Sequence, residues 1–285
     1  MTIIEFDDAT KYYGNIRGIE DLSFKVEKSE IFGFLGPNGA GKTTTVKTMV
    51  KMIKDYDGEI DIFGKNLKKW GKDYYEKIGI SFEYPALYSK LTAIENLEFF
   101  KSFYQNNTED STELLDLVGL EKRSDQVVAN FSKGMKKKLD IARALVNNPD
   151  LIFFDEPIVG LDPGSARKIK DIILSKKEEE EKTVFLTTHN MTVADELCDR
   201  VAFIVDGSVR LIGNPKKFKV DRGEKKVKVE YESDGKVKSS EFSLQGIGND
   251  QEFMNILKNH TIQRMHTLEP DLEEVFLEVT GERLI

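Results

Sequence analysis

The chain has 285 residues, 39% of them hydrophobic, which is ample for a buried core and predicts about two domains or one large one. Its 42 basic and 50 acidic side chains leave a net charge of −8, which argues against a broad surface tracking a nucleic-acid backbone, so no nucleic-acid partner is expected. A single cysteine, Cys198, excludes an internal disulfide and a cysteine-cluster metal site; no apolar run approaches the ~18 residues of a membrane span, and MTIIEFDDAT lacks the basic start and apolar stretch of a secretory signal, so the chain reads as soluble and intracellular.

In chain order, LSFKVEK (22–28) and EIFGFLG (30–36) are predicted strands, the second running into a glycine-rich turn. KTTTVKTMVKMIK (42–54) follows as a helix, with Val46, Met49, Val50 and Ile53 on one face. DGEIDIFG (57–64) and KIGISF (77–82) are further short strands. From about residue 85 to 149 the pattern turns mostly helical, through TAIENLEFFKSFYQ, TELLDLVGL and SKGMKKKLDIARALVNN. LIFFDEP (151–157) and TVFLTTH (183–189) return to buried strands, and the KKEEEEK run between them reads as a solvated helix end. VAFIVDGSVR (201–210) is a hairpin with Asp206-Gly207 at its turn. This alternation predicts an α/β fold. Composition shifts around KKFKVDRGEKK, and beyond it KVKVEYE, KSSEFSL and TIQRMHT read as strands, NDQEFMNILKN and DLEEVFLEVTG as helices. The expected organisation is a first domain over 1–218 and a small α+β unit over 222–285.

GPNGAGKT fits the phosphate-loop pattern G-x-x-x-x-G-K-[ST] in full. Gly36, Pro37, Asn38, Gly39, Ala40 and Gly41 would wrap backbone N–H groups around phosphate oxygens, and the following helix adds its positive end. Lys42 would bridge the β and γ phosphates, Thr43 would ligate Mg²⁺, and Thr44 would assist at the α phosphate. The competing reading, a chance glycine-rich turn, fits poorly with the strand before it and the helix after it. Downstream, LIFFDEP sets Asp155 and Glu156 at the carboxyl end of a buried strand, where open parallel sheets bind ligands. Asp155 suits Mg²⁺, and Glu156 is placed to orient or deprotonate an attacking water. His189, ending the strand that delivers Thr187 and Thr188, is either structural or holds Glu156 and the water in register against the γ-phosphate.

These pieces resemble the nucleotide-binding subunit of ATP-binding cassette (ABC) transporters over residues 1 to about 218. The resemblance implies a P-loop NTPase cassette with a mixed sheet core and a helical subdomain at about 85–149, and ATP with Mg²⁺ as ligands. FSKGM (131–135) matches the family's signature segment, with Ser132 and Gly134 at the positions that contact the γ-phosphate held by an opposite subunit. GLDP (160–163) matches the loop crossing the dimer interface, through Asp162. Tyr13 matches the aromatic that stacks on adenine, with Tyr12 as the competing assignment. Glu83 stands where a glutamine is usual, adding a carboxylate as a possible metal ligand and negative charge beside the triphosphate. Lys133 and Met135 also depart from the common signature, and Ile158 replaces a common threonine. Lys136, Lys137 and Lys138 read mostly as a solvated helix face.

Since the signature lies far from the chain's own phosphate loop, the family's architecture implies two copies packed head to tail around ATP. A separate integral membrane permease subunit is implied as well, docked at ALYSKLTAIENLEFFKSFY through Tyr88, Leu91, Phe99, Phe100, Phe103 and Tyr104, unless these pack inside the helical subdomain. The expected function is an ATPase energising an exporter of drug, peptide-antibiotic or polysaccharide type, on the inner face of the cell membrane. A soluble cassette ATPase of translation or DNA repair is the alternative, disfavoured because those relatives carry two cassettes or long inserts.

Overall fold

Alternating apolar residues at the N-terminus build a long antiparallel hairpin, β1 (Thr2–Tyr13) and β2 (Ile16–Glu27). The sequence reading found only the later half of β2. The reason lies in two irregularities, at Asp8 (φ 50°) and Asp21 (φ 48°), where the register shifts. Across the first, the buried set slips from Ile4 and Phe6 to Ala9 and Lys11, which erases the period-two signal. A computed structural model describes residues 1–106, 108–222, 225–233, 235–268 and 271–282.

The chain continues through β3 (Ile31–Leu35) into α1 (Lys42–Met49). This helix is shorter than its sequence period suggested. It stops because Lys51 turns left-handed (φ 60°) and the Met52 amide reaches back to the Lys47 carbonyl at 2.9 Å. Next come β4 (Asp57–Ile62), the two-residue β5 (Lys65–Asn66) and β6 (Ile78–Ser81). The helical segment holds α2 (Ala93–Lys101), α3 (Ser111–Leu117) and α4 (Lys133–Ala144). Each begins on a side-chain cap: Thr92 in a capping box with Glu95, then Asp110, then Ser132. There follow β7 (Leu151–Asp155), α5 (Pro163–Glu178), β8 (Thr183–Thr188), α6 (Met191–Leu197), β9 (Arg200–Val205) and β10 (Ser208–Gly213).

Two sheets result. The larger has strand order β10-β9-β3-β8-β7-β6, parallel except for the β10 edge, and the smaller is β2-β1-β4-β5. β3, β7 and β8 are buried along their whole length, so they read as continuous apolar runs with no alternation. Phe24 of β2 packs on Phe32 and Phe34 of β3 and on Phe185 of β8 at centroid distances of 5.7, 5.5 and 6.2 Å. Val46, Met49 and Val50 join the same core. The whole is an α/β P-loop NTPase fold, and the carboxyl ends of β3, β7 and β8 bring the candidate site together.

A second unit begins at Asn214. It therefore includes α7 (Pro215–Arg222), whereas the sequence reading ran the first domain to residue 218; α7 packs against the last helix of this unit, α9 (Leu272–Thr280). Between them lie β11 (Lys226–Ser233), β12 (Lys236–Ser243), α8 (Gln251–Asn259) and β13 (Thr261–Leu268), with sheet order β12-β11-β13. Its own small core is built on Val227, Val229, Phe242, Phe253 and Ile256. Of the KKFKVDRGEKK stretch, residues 223–224 lie outside the described residues, as do 283–285 of the expected C-terminal unit.

Candidate functional site

The loop between β3 and α1 curls because Gly41 adopts φ 106°, and a Cβ there would stand 2.5 Å from the Gly18 carbonyl oxygen. Gly41 is also the N-cap of α1 and supplies no side-chain cap, so the first amides of the helix remain available to an anion. Around them is a cavity of about 320 Å³. Its walls are Pro37, Asn38, Gly39, Gly41, Lys42, Thr43 and Thr44 from the loop and helix, Tyr13 and Ile16 through Gly18 from the hairpin, and Glu83 and Glu156. Gly36 and Ala40 are not on the wall. Ala40 is buried behind the loop, and Gly36 lies so close to β9 that an added Cβ would meet the Ile204 carbonyl oxygen at 2.1 Å.

Lys42 is buried, and its Nζ donates to the carbonyls of Gly36 (2.7 Å) and Pro37 (3.1 Å) while lying 3.5 Å from Glu156 Oε1. Burial lowers its pKa, opposed by the Glu156 carboxylate. Glu156 is nearly fully buried at φ 49°, a conformation that costs a non-glycine residue energy and is held by its neighbours. Its amide donates to both the carbonyl and the hydroxyl oxygen of Thr187, each at 3.2 Å, and Oε1 lies 2.9 Å from His189 Nδ1. Among the described residues, Glu156 Oε2 has no partner although it is buried. Thr43 Oγ1 donates to Asp155 Oδ2 at 3.1 Å, and Thr187 Oγ1 donates to Asp155 Oδ1 at 2.5 Å.

This donor set fits a nucleoside triphosphate with Mg²⁺: hydroxyl and carboxylate oxygens for a hard cation, a cationic side chain and free helix amides for phosphates, and an unsatisfied carboxylate oxygen for a water. Of the two tyrosines, Tyr13 lines the cavity and is 45% exposed there, whereas the Tyr12 hydroxyl is tied to Glu20 outside it. Ser132, Gly134 and Asp162 form a separate group. Ser132 caps α4 by accepting from the Met135 amide at 3.2 Å, Asp162 caps α5 by accepting from Ser165 at 2.9 Å, and Gly134 sits against Leu161 and Gly160. None of the three lines the cavity.

Two contributors were not singled out from sequence. Thr187 holds both Asp155 and Glu156, and a threonine inside a buried strand is the one signal that pointed to it. Lys137 departs from its reading as part of a solvated face: it is 3% exposed, and Nζ donates to the carbonyls of Phe82 (2.7 Å) and Asp155 (3.0 Å). Burial pushes its pKa down to about 8 against the pull of Asp140, Asp155, Glu156 and Glu83. A run of three lysines hid it, since only the fold decides which member of the run turns inward.

Residues 19–159 match the ABC transporter family, and residues 225–269 match the fluoroquinolone efflux ABC transporter C-terminal domain. A fluoroquinolones export ATP-binding protein of Mycobacterium tuberculosis is 47% identical over 270 residues, covering 94% of this chain and 88% of the relative. A bacitracin transport ATP-binding protein of Bacillus licheniformis is 39% identical over 211 residues, covering 73% and 68%. Among solved structures, an ATP-binding cassette in a dimeric post-hydrolysis state with ADP and phosphate superposes with a TM-score of 0.69 at 28% identity, covering 74% of this chain and 98% of that one.

Proposed function

The chain belongs to the ABC transporter family of ATP-binding subunits, and from that premise we propose that it is the ATPase driving an exporter, working with a separate membrane permease and a second copy of itself. The observation that carries this reading is Glu156, whose carboxylate sits at the phosphate-loop cavity between Lys42 and His189 with one oxygen unclaimed. Tyr13 stacks on the adenine, and the amides of Gly39 and of Gly41 to Thr44 hold the phosphates. Lys42 trades its carbonyl partners for the β and γ phosphate oxygens. Thr43, Asp155 and Glu83 would hold Mg²⁺, which when bound neutralises charge developing on the transferred phosphoryl group. Glu156 takes the proton of the attacking water, and His189 fixes the orientation of that carboxylate.

Ser132, Gly134 and Asp162 serve the nucleotide of the partner copy, a role supported by their position outside the chain's own cavity. The permease contact is supported by Tyr88, Phe99 and Phe103, which are exposed together on the α2 segment, with edge-to-face ring contacts of 4.6 Å (Tyr88–Phe99) and 5.0 Å (Phe99–Phe103). Phe100 belongs to the same ring cluster, edge-to-face with Phe99 at 5.9 Å and with Phe103 at 6.3 Å, and it also meets the Arg143 guanidinium at 4.9 Å. No helix among the described residues is long and apolar enough to cross a membrane, and attachment to the inner membrane face follows from the permease. Export of a drug or peptide antibiotic is supported by the names of the two transport relatives; the translation or repair alternative draws no support from them.

Glu156→Gln tests the chemistry. Turnover of ATP is expected to fall by about 10²–10⁴-fold, while the affinity for a fluorescent ATP analogue stays within about threefold of wild type. Unchanged turnover in that variant removes Glu156 as the base.

A further inference from the structure

Lys137 stands one turn into α4, the helix capped by the signature serine, yet its side chain is buried and bonds the ends of two core strands. Its two carbonyl acceptors sit at the ends of two neighbouring strands. Phe82 immediately precedes Glu83, and Asp155 immediately precedes Glu156. The ammonium thus pins both segments that deliver site carboxylates to one helix. The other buried charge near it, Asp140, is already engaged by Arg143 (2.8 Å) and by the Ser81 hydroxyl (2.7 Å). Of the carboxylates that act on Lys137, Asp140 comes first, followed by Asp155, Glu156 and Glu83, and the last three also act on Lys42. With glutamine at position 83, two carboxylates would face two ammonium groups; with glutamate there, a third negative charge enters a site that must also accept a triphosphate. Glu83 is half-buried on the cavity wall, so water screens part of that charge and a nearby cation offsets the rest.

We propose that Lys137 is a positioning residue for ATP hydrolysis, clamping the Phe82–Glu83 and Asp155–Glu156 segments to the signature helix and supplying the positive charge that makes a carboxylate at position 83 tolerable. The proposal rests on the ATPase reading above. Charges at 83 and 137 are then a matched pair, and their substitutions are not independent.

The test is a double-mutant cycle of wild type, Lys137→Gln, Glu83→Gln and the double variant, read as kcat and KM for Mg·ATP and, in parallel, as melting temperature. Lys137→Gln is expected to lower kcat at least tenfold with KM within threefold, because nucleotide contacts are untouched while the carboxylates lose register. In the Glu83→Gln background the same change is expected to cost less than threefold, in kcat and proportionately in Tm. A Lys137→Gln kcat within twofold of wild type, or a double variant whose loss equals the product of the single losses, overturns the proposal. Should Lys137→Gln alone fail to fold, a soluble double variant supports the matched pair and an insoluble one refutes it. Wild-type protein that binds ATP without hydrolysing it sinks the ATPase reading instead, and the melting-temperature cycle then still decides whether 83 and 137 are coupled.

Discussion

Tyr12 and Tyr13 show how far a single side chain can be read before the fold is known. Adjacent residues on a strand face opposite sides, so on the proposed reading only one of the two meets the nucleotide, and the sequence favoured Tyr13 with Tyr12 as the competitor. The structure separates them by their partners: Tyr12 is committed to Glu20, while the Tyr13 ring edges the cavity beside Gly18, where an added Cβ would come within 2.9 Å of it. Base stacking on an aromatic is worth about 1–3 kcal/mol, so Tyr13→Ala is expected to weaken ATP binding by roughly five- to 150-fold. Tyr12→Ala should leave the dissociation constant within about threefold; fluorescence titration of both variants checks the contrast, and equal losses would reverse the assignment. That Pro37 to Gly39 and Gly41 to Thr44 would line one cavity was legible because the motif is local. Lys137 and Thr187 were not, because their partners lie 18 and 32 positions away and no local pattern marks which polar side chain a strand end will need.

At the scale of elements, legibility followed the period. Fully buried β3, β7 and β8 announced themselves as apolar runs, and α8 and α9 as amphipathic repeats with aspartate caps. The N-terminal hairpin lost its signal at two bulges. What no period reveals is how closely two elements approach. Gly79 lies in β6 where α4 ends, and a Cβ there would stand 1.9 Å from the Ala144 carbonyl oxygen and 2.8 Å from Pro149 Cγ. Sequence displays a glycine inside KIGISF; only the packing gives its reason. The clash is with backbone, which cannot rotate aside, so Gly79→Ala is expected to exceed the ~1–3 kcal/mol typical of overpacking. The urea midpoint of the variant checks this. A midpoint equal to wild type would mean that β6 and α4 separate freely. Because β6 leads to Glu83 and α4 carries Lys137, the same substitution should also lower kcat in whatever fraction remains folded.

On the scale of the whole molecule, the arrangement that matters is a separation. Phosphate loop, Tyr13, Glu83 and Glu156 share a cavity, while Ser132 and Asp162 cap helices outside it and Gly134 lies in the first turn of α4. If Ser132, Gly134 and Asp162 serve nucleotide as proposed, one chain does not complete a site and a second copy supplies what the first lacks. ATP is then shared between surfaces and acts as a ligand that favours the paired state, and hydrolysis withdraws that preference. Glu156→Gln, which binds ATP without consuming it, should therefore elute as a dimer in ATP and as a monomer in ADP. Gly134→Asp added to that variant gives the sharper test. An added Cβ at Gly134 meets nothing nearer than Leu161 Cδ2 at 3.5 Å, so the subunit's own packing accepts it. A carboxylate in the first turn of α4 even suits the positive helix end. Facing a partner's γ-phosphate, however, it repels. The double variant is expected to bind ATP as a monomer with affinity within about threefold of Glu156→Gln alone, yet to show no dimer by light scattering at any ATP concentration. Persistence of the dimer would place the pairing surface elsewhere than the signature helix, and loss of ATP binding by the monomer would mean that Gly134 serves its own chain's cavity after all.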